Sequence, residues 1–142
     1  METAAQLLQQ KGGGIYSVDP DAPVLDAIRL MADHSVGALL VMKNQRLVGV
    51  VSERDYARKV ILRGLTSSDT PVREIMSAPV LTIDPGRTVR ECMKVMTDNR
   101  IRHLPVVDAE RVVGVLSIGD LVRSVLEEQQ QTIAELERYI HS

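Results

Sequence analysis

Residues 15–59 read IYSVDPDAPVLDAIRLMADHSVGALLVMKNQRLVGVVSERDYARK, and residues 80–124 read VLTIDPGRTVRECMKVMTDNRIRHLPVVDAERVVGVLSIGDLVRS. Laid over one another at an offset of 65, without gaps, 14 of the 45 positions are identical. They are Asp19/Asp84, Pro20/Pro85, Val24/Val89, Met31/Met96, Asp33/Asp98, Leu39/Leu104, Val41/Val106, Arg46/Arg111, Val48/Val113, Gly49/Gly114, Val50/Val115, Ser52/Ser117, Asp55/Asp120 and Arg58/Arg123. Most other pairs keep their apolar or polar character. An internal repeat of this kind decides the architecture before any single residue is interpreted.

Each copy reads strand–helix–strand–strand–helix. A short first strand, 15–18 or 80–83, ends at Asp-Pro. Apolar Val24, Ala27, Ile28 and Met31, and then Val89, Cys92, Met93 and Met96, recur at helical spacing. Thr88 and Glu91 form a capping box at the start of the second of these helices. The apolar runs 38–42 and 103–107 are β strands, and the polar turns KNQR and DAER lead to strands 47–51 and 112–116. Ser52 and Ser117 then open the closing helices. The fold class is α/β (α+β): two βαββα repeats, 6–64 and 71–126, and a helical extension, 127–142.

A unit of about 50 residues has too little apolar area to stand alone. Two copies packed face to face would share one core. The connection between them is polar at GLTSSDTP and then carries an amphipathic turn, VREIM, that aligns with QLLQQK before the first copy. With 142 residues the chain buries enough surface for a core without staples. That core is aliphatic: 19 Val, 15 Leu and 9 Ile stand against three Tyr and no Phe or Trp.

Composition also excludes. So few aromatics rule out stacking platforms for single-stranded nucleic acid. A net charge of −2 lacks the basic excess of a phosphate-backbone binder, so nucleic acid is not an expected partner. The single Cys92 excludes an internal disulfide and fits a reducing compartment. His34, His103 and His141 are dispersed, with no metal-ligand spacing. No signal-peptide core and no membrane-length apolar run is present. The expected location is the cytoplasm, with no membrane partner.

The repeated Ser-x-x-Asp, Ser52/Asp55 and Ser117/Asp120, carries the chemistry. Its plain reading is a capping box, although Glu or Gln is preferred over Asp at the fourth position. A second reading is compatible with the first. A helix N-terminus attracts phosphate, a Ser hydroxyl adds a donor, and a nearby carboxylate accepts two hydrogen bonds from a ribose diol.

The βαββα unit, its Gly-h-h-Ser-x-x-Asp ending (GVVSERD at 49–55, GVLSIGD at 114–120) and the run RIRHLPVVD at 100–108 resemble cystathionine-β-synthase (CBS) domains. Over about residues 6–126 the chain resembles a stand-alone CBS pair, or Bateman module. The resemblance implies a disc-like module, its two repeats packed with pseudo-twofold symmetry, with two clefts that commonly take adenosyl ligands. It makes Ser52 and Ser117 phosphate contacts, and Asp55 and Asp120 ribose contacts. It also implies composite clefts, in which Asp55 joins Thr82 and Arg102–His103, and Asp120 joins Ser17–Val18 and Gly37–Ala38. The cleft with Arg54, Arg102 and His103 is rich in cations and suits phosphates. The other is apolar and small-lined, and suits an adenine ring or stays empty.

Other features read plainly. Arg100 and Arg102 also fit as cations at a helix C-terminus. Cys92 is a small buried hydrophobe, His34 and His141 carry no special role, and Gly12–Gly14 is a flexible entry whose Lys11 can reach a ligand phosphate. Val122, Leu126, Gln129, Ile133, Leu136 and Ile140 follow 4-3-4-3-4 spacing, a coiled-coil-like seam that calls for a partner unless it folds back on its own module. The expected function is a non-catalytic sensor of AMP, NAD(H) or ATP that acts as a homodimer and signals to a regulated protein. The alternative is a ligand-free interaction scaffold. No nucleophile–base pair or acid–base constellation argues for an enzyme.

Overall fold

The computed structural model describes residues 2–141. In chain order its elements are α1 (Ala4–Lys11), β1 (Ser17–Val18), α2 (Val24–His34), β2 (Ala38–Lys43), β3 (Arg46–Ser52), α3 (Glu53–Tyr56), α4 (Val89–Asn99), β4 (His103–Asp108), β5 (Arg111–Ser117) and α5 (Ile118–His141). A π-helical segment, Ala57–Ile61, continues α3, and a single 3₁₀ turn spans Val72–Glu74. The repeated strand–helix–strand–strand–helix order is therefore present in both copies, with one shortfall at the start of the second.

Two compact units emerge. One comprises Ile15–Val80; the other joins the N-terminal segment through Gly14 to the chain from Leu81 onward. Each unit thus takes the stretch that precedes the other repeat in sequence.

In the Ile15–Val80 unit the sheet order is β1-β2-β3, with β1 parallel to β2 and β2 antiparallel to β3. Leu39 lies across from Val51, and Val41 across from Gly49, so these four share one face by the two-residue alternation of a strand. Against that face α2 lays Val24, Ala27 and Met31, all essentially inaccessible. Val60, Val72 and Ile75 complete this core. Helix α2 ends at Ser35 in the left-handed region (φ 54°).

The other unit repeats the plan. Leu104 faces Leu116 and Val106 faces Gly114 across β4 and β5. Helix α4 contributes Val89, Cys92 and Met96, and the closing helix contributes Leu121. Helix α1 adds Ala4 and Leu7 to the same core. Thr3 and Gln6 cap α1 reciprocally, and Thr88 Oγ1 accepts from the Glu91 N–H at the start of α4 (3.2 Å).

The first strands are shorter than the sequence suggests. β1 covers only Ser17–Val18, and in place of a strand at 80–83 there is one parallel bridge, Ile83 to Val106. The cause is Pro105. In the first copy the Leu40 N–H donates to Tyr16 O (3.2 Å). The equivalent residue in the second copy is Pro105, which has no N–H to give Leu81. Pairing begins one residue later, with Ile83 N–H to Pro105 O (3.1 Å) and Val107 N–H to Ile83 O (2.8 Å).

The two aligned segments QLLQQK and VREIM play the same part. A side chain placed on Gly114 would put its Cβ 2.5 Å from Leu8 Cδ2, and one on Gly49 would sit 2.5 Å from Met76 Sδ. Each repeat carries glycine here because the covering segment fills the space a Cβ would need. Gly114→Ala should therefore destabilise the fold by about 1–3 kcal/mol, the cost of overpacking a core. In urea unfolding, the double variant Leu8→Ala/Gly114→Ala should lose less than the sum of its single variants, because the smaller residue 8 removes the clash.

Candidate functional site

Ser52 is the last residue of β3 and the N-cap of α3, in extended conformation (φ −128°, ψ 165°). Its Oγ accepts from the Asp55 N–H (3.1 Å), and Asp55 Oδ2 accepts from the Ser52 N–H (2.9 Å) and hydroxyl (3.0 Å). The second copy repeats this: the Asp120 N–H donates to Ser117 Oγ (3.1 Å), and the Ser117 N–H donates to Asp120 Oδ2 (2.8 Å). The capping box is formed in both copies, with Asp doing the work usually done by Glu.

Around each junction the strand geometry gathers other predicted site residues. Ala38 lies directly across from Ser52, and Gly37 O accepts from the Glu53 N–H (3.0 Å). Ser17 and Val18 pair with Leu40 and Val41 on the neighbouring strand. In the other unit His103 lies across from Ser117, and Arg102 O accepts from the Ile118 N–H (2.9 Å). Thr82 immediately precedes the Ile83 bridge and is exposed. Arg54 and Arg102 are exposed, and His103 is half-buried. Arg100 is the left-handed C-cap residue of α4 (φ 55°), so its cation stands at a helix C-terminus. Within each unit, then, Ser52 adjoins Gly37–Ala38 and Ser117 adjoins Arg102–His103.

Two lysines complete the junctions: Lys59, and Lys11, which the sequence offers only as a reach toward a ligand phosphate and which instead meets Asp120. Lys59 Nζ lies 3.2 Å from Asp55 Oδ1 and donates to Ile75 O (2.9 Å). Lys11 Nζ donates to Asp120 Oδ2 (2.8 Å) and to Val115 O (2.8 Å). Each ammonium therefore ties the capping carboxylate to a main-chain carbonyl of another segment. Lys59 is readable from sequence as an i,i+4 partner of Asp55. Lys11 arrives from the far end of the chain, delivered by α1. The Asp120 side chain is only 11% exposed. Burial works against its ionisation, but the Lys11 ammonium and the Ser117 N–H and hydroxyl outweigh burial and hold the carboxyl below its ordinary range. The hydrogen bonds from Lys11 and the Ser117 N–H both fall on its Oδ2.

The remaining candidates take their plain places. Cys92 is fully buried, and burial pushes its thiol up to about 11, which removes it as a nucleophile near neutral pH. His34 stacks on Tyr16, with ring centroids 3.8 Å apart. Among the described residues no group of His, Cys, Asp and Glu is arranged to hold a metal ion. No helix there is long and apolar enough to cross a membrane.

Since Asp120 ionises more readily folded than unfolded, its stabilisation is present above the ordinary carboxylate pKa, about 3.9, and is lost as pH falls through the lower folded value. Lys11→Met removes the main compensating charge and leaves the burial. The Asp120 pKa, read by carbon NMR of its carboxyl, should rise. The variant should be less stable by about 1 kcal/mol at pH 7, after allowance for solvent screening at a partly exposed lysine. That difference should shrink below about pH 4. An unmoved Asp120 titration would show that the pair carries no such weight.

Comparison with known proteins agrees with this geometry. The chain matches the CBS domain family over residues 13–62 and 72–127. It is 40% identical over 147 residues to the mitochondrial CBS domain-containing protein CBSX3 of Arabidopsis thaliana, covering 97% of this chain and 71% of that one. A putative signal-transduction protein with CBS domains from Burkholderia ambifaria MC40-6 superposes with a TM-score of 0.85 at 48% identity, over 89% of this chain and 96% of that one. The CBS domain pair of protein MJ0100, solved in complex with 5′-methylthioadenosine and S-adenosyl-L-methionine, shares the fold (TM-score 0.80, 22% identity, 90% and 98% coverage). With two matched repeats and relatives this similar over nearly its full length, the chain belongs to the CBS-domain family.

Proposed function

We propose that this protein is a regulatory module that binds an adenosyl ligand, AMP, NAD(H) or ATP, without transforming it. The observation that carries the reading is the duplicated junction. In both copies a strand ends in Ser, a helix starts, and an Asp three residues on stands beside a lysine ammonium. Such a junction offers donors to phosphate and a carboxylate to a ribose diol. The adenosyl compounds bound by the MJ0100 pair, a protein of the same fold, support this ligand class.

In this reading Ser52 and Ser117 face phosphate, and Asp55 and Asp120 take the ribose hydroxyls. Ser17, Val18, Gly37 and Ala38 are small enough to admit an adenine ring. Arg54, Thr82, Arg102 and His103 favour phosphate-bearing ligands. The module acts as a homodimer, and a regulated protein reads its ligand state. The buried, single Cys92 supports a reducing compartment such as the cytoplasm.

One observation favours a second reading, a ligand-free interaction scaffold. Both carboxylates already have cationic partners inside their own units, so neither is left uncompensated without ligand. Calorimetry with AMP, ATP, NAD and S-adenosylmethionine separates the two readings: saturable heat supports the sensor, and silence with all four supports the scaffold.

Asp55→Ala should weaken binding by about 1.5–3 kcal/mol, the worth of a hydrogen bond to a charged group, with a near-normal melting curve. Full affinity in a folded variant would move the ligand elsewhere. Arg102→Ala should lower ATP or NAD affinity more than adenosine affinity, and the loss should diminish as salt rises. Equal losses for nucleotide and nucleoside would assign Arg102 to packing instead.

A further inference from the structure

Helix α5 runs from Ile118 to His141, and every residue from Leu126 to His141 is exposed. It does not fold back on its own unit. Its inner turns are anchored through Leu121 and Ser124, while Val122 stands 42% exposed and Leu126, Ile133, Leu136 and Ile140 between 54% and 74%. These side chains and Gln129 form one stripe about 28 Å long at 1.5 Å per residue. Gln129 and Ile133 also line a groove of about 520 Å³ against Met93 and Val125. In heptad terms Leu126, Ile133 and Ile140 are a positions, and Val122, Gln129 and Leu136 are d positions.

We propose that this stripe is covered by the α5 of a second copy of the chain, running antiparallel to it. The proposal rests on the homodimer reading and adds its geometry. The flanking charges decide the direction. The e positions are Arg123, Gln130 and Glu137, and the g positions are Val125, Thr132 and Tyr139. In a parallel pair e faces g of the other helix, and no opposite charges meet. In an antiparallel pair e faces e and g faces g. The seam then layers Val122 on the partner's Ile140, Leu126 on the partner's Leu136 and Gln129 on the partner's Ile133. In that same register Arg123 faces the partner's Glu137, and the two-fold axis makes the pair twice. Against these two ion pairs the parallel alignment offers only Gln129 opposite its own copy.

The test uses the full-length chain and sedimentation equilibrium, with circular dichroism to confirm folding of each variant. Arg123→Glu and Glu137→Arg should each raise the dimer dissociation constant roughly tenfold, because two attractions become two repulsions. The double reversal should restore it to within about twofold, since opposite charges face again. Single reversals without effect would overturn the antiparallel alignment. Oxidation supplies an independent arm. Leu126→Cys/Leu136→Cys should give a covalent dimer and Leu126→Cys alone should not; a covalent dimer from the single variant means a parallel pair. Ile133→Lys distinguishes the levels of failure. A dimer indifferent to it would overturn the seam and leave the homodimer standing, whereas a monomeric wild-type chain would overturn both.

Discussion

The contact of Leu8 with the face of Gly114, and of Met76 with Gly49, is the constraint on which both units depend. A short antiparallel ladder and one helix leave core strands incompletely covered. A segment from outside the βαββα unit closes the gap, and it fits only where the strand lacks a side chain. The glycine in Gly-h-h-Ser is thus a packing residue first. The same contact positions charge. Because α1 lies on β5, the Lys11 at its end reaches Val115 O and Asp120. Because the segment ending in Met76 lies on β3, Ile75 O is within reach of Lys59. Packing at the glycine and electrostatics at the Ser-x-x-Asp junction are one arrangement seen at two places.

Capping and the proposed ligand binding would draw on the same atoms, and the two caps leave those atoms differently placed. The cap uses one carboxylate oxygen, Oδ2, in each copy. At Asp120 the lysine shares that oxygen, so Oδ1 is clear of the ammonium. At Asp55 the lysine takes Oδ1 instead, so a diol there must compete with an ammonium. A ligand that recruits Asp120 adds to an existing network, whereas one that recruits Asp55 rearranges it. The chemistry of the two junctions differs even though their sequence signature is the same.

Strand and helix order was legible because the repeat supplied two readings of each element, and side-chain periodicity agreed in both. The missing strand at 80–83 is legible too, from Pro105 at the position aligned with Leu40, which must donate if the pairing is to extend. The reciprocal caps follow directly from Ser and Asp three apart. Lys59 was readable from its i,i+4 spacing. Lys11 was not, since 109 residues separate it from Asp120 and only the docking of α1 brings them together. The exchange of leading segments between units was likewise hidden. The alignment of QLLQQK with VREIM showed that the segments are equivalent, but not which repeat each one covers.

The two copies diverge where the cap ends. After Tyr56 the first copy widens into a π-helical segment and stops at Ile61, with Leu62 N–H bonding back to Ala57 O. The second copy continues as a regular α-helix for 24 residues. Flanking strands diverge in parallel, with Gly37–Ala38 beside Ser52 but Arg102–His103 beside Ser117. The repeat gives both copies the same cap and the same core positions. They differ outside the core, where Arg102 and His103 stand beside one cap and the helix after that cap is the longer. Sensing requires that a ligand prefer one state over another. Two junctions with unlike charge and unlike wiring of their aspartates present two chemically different environments.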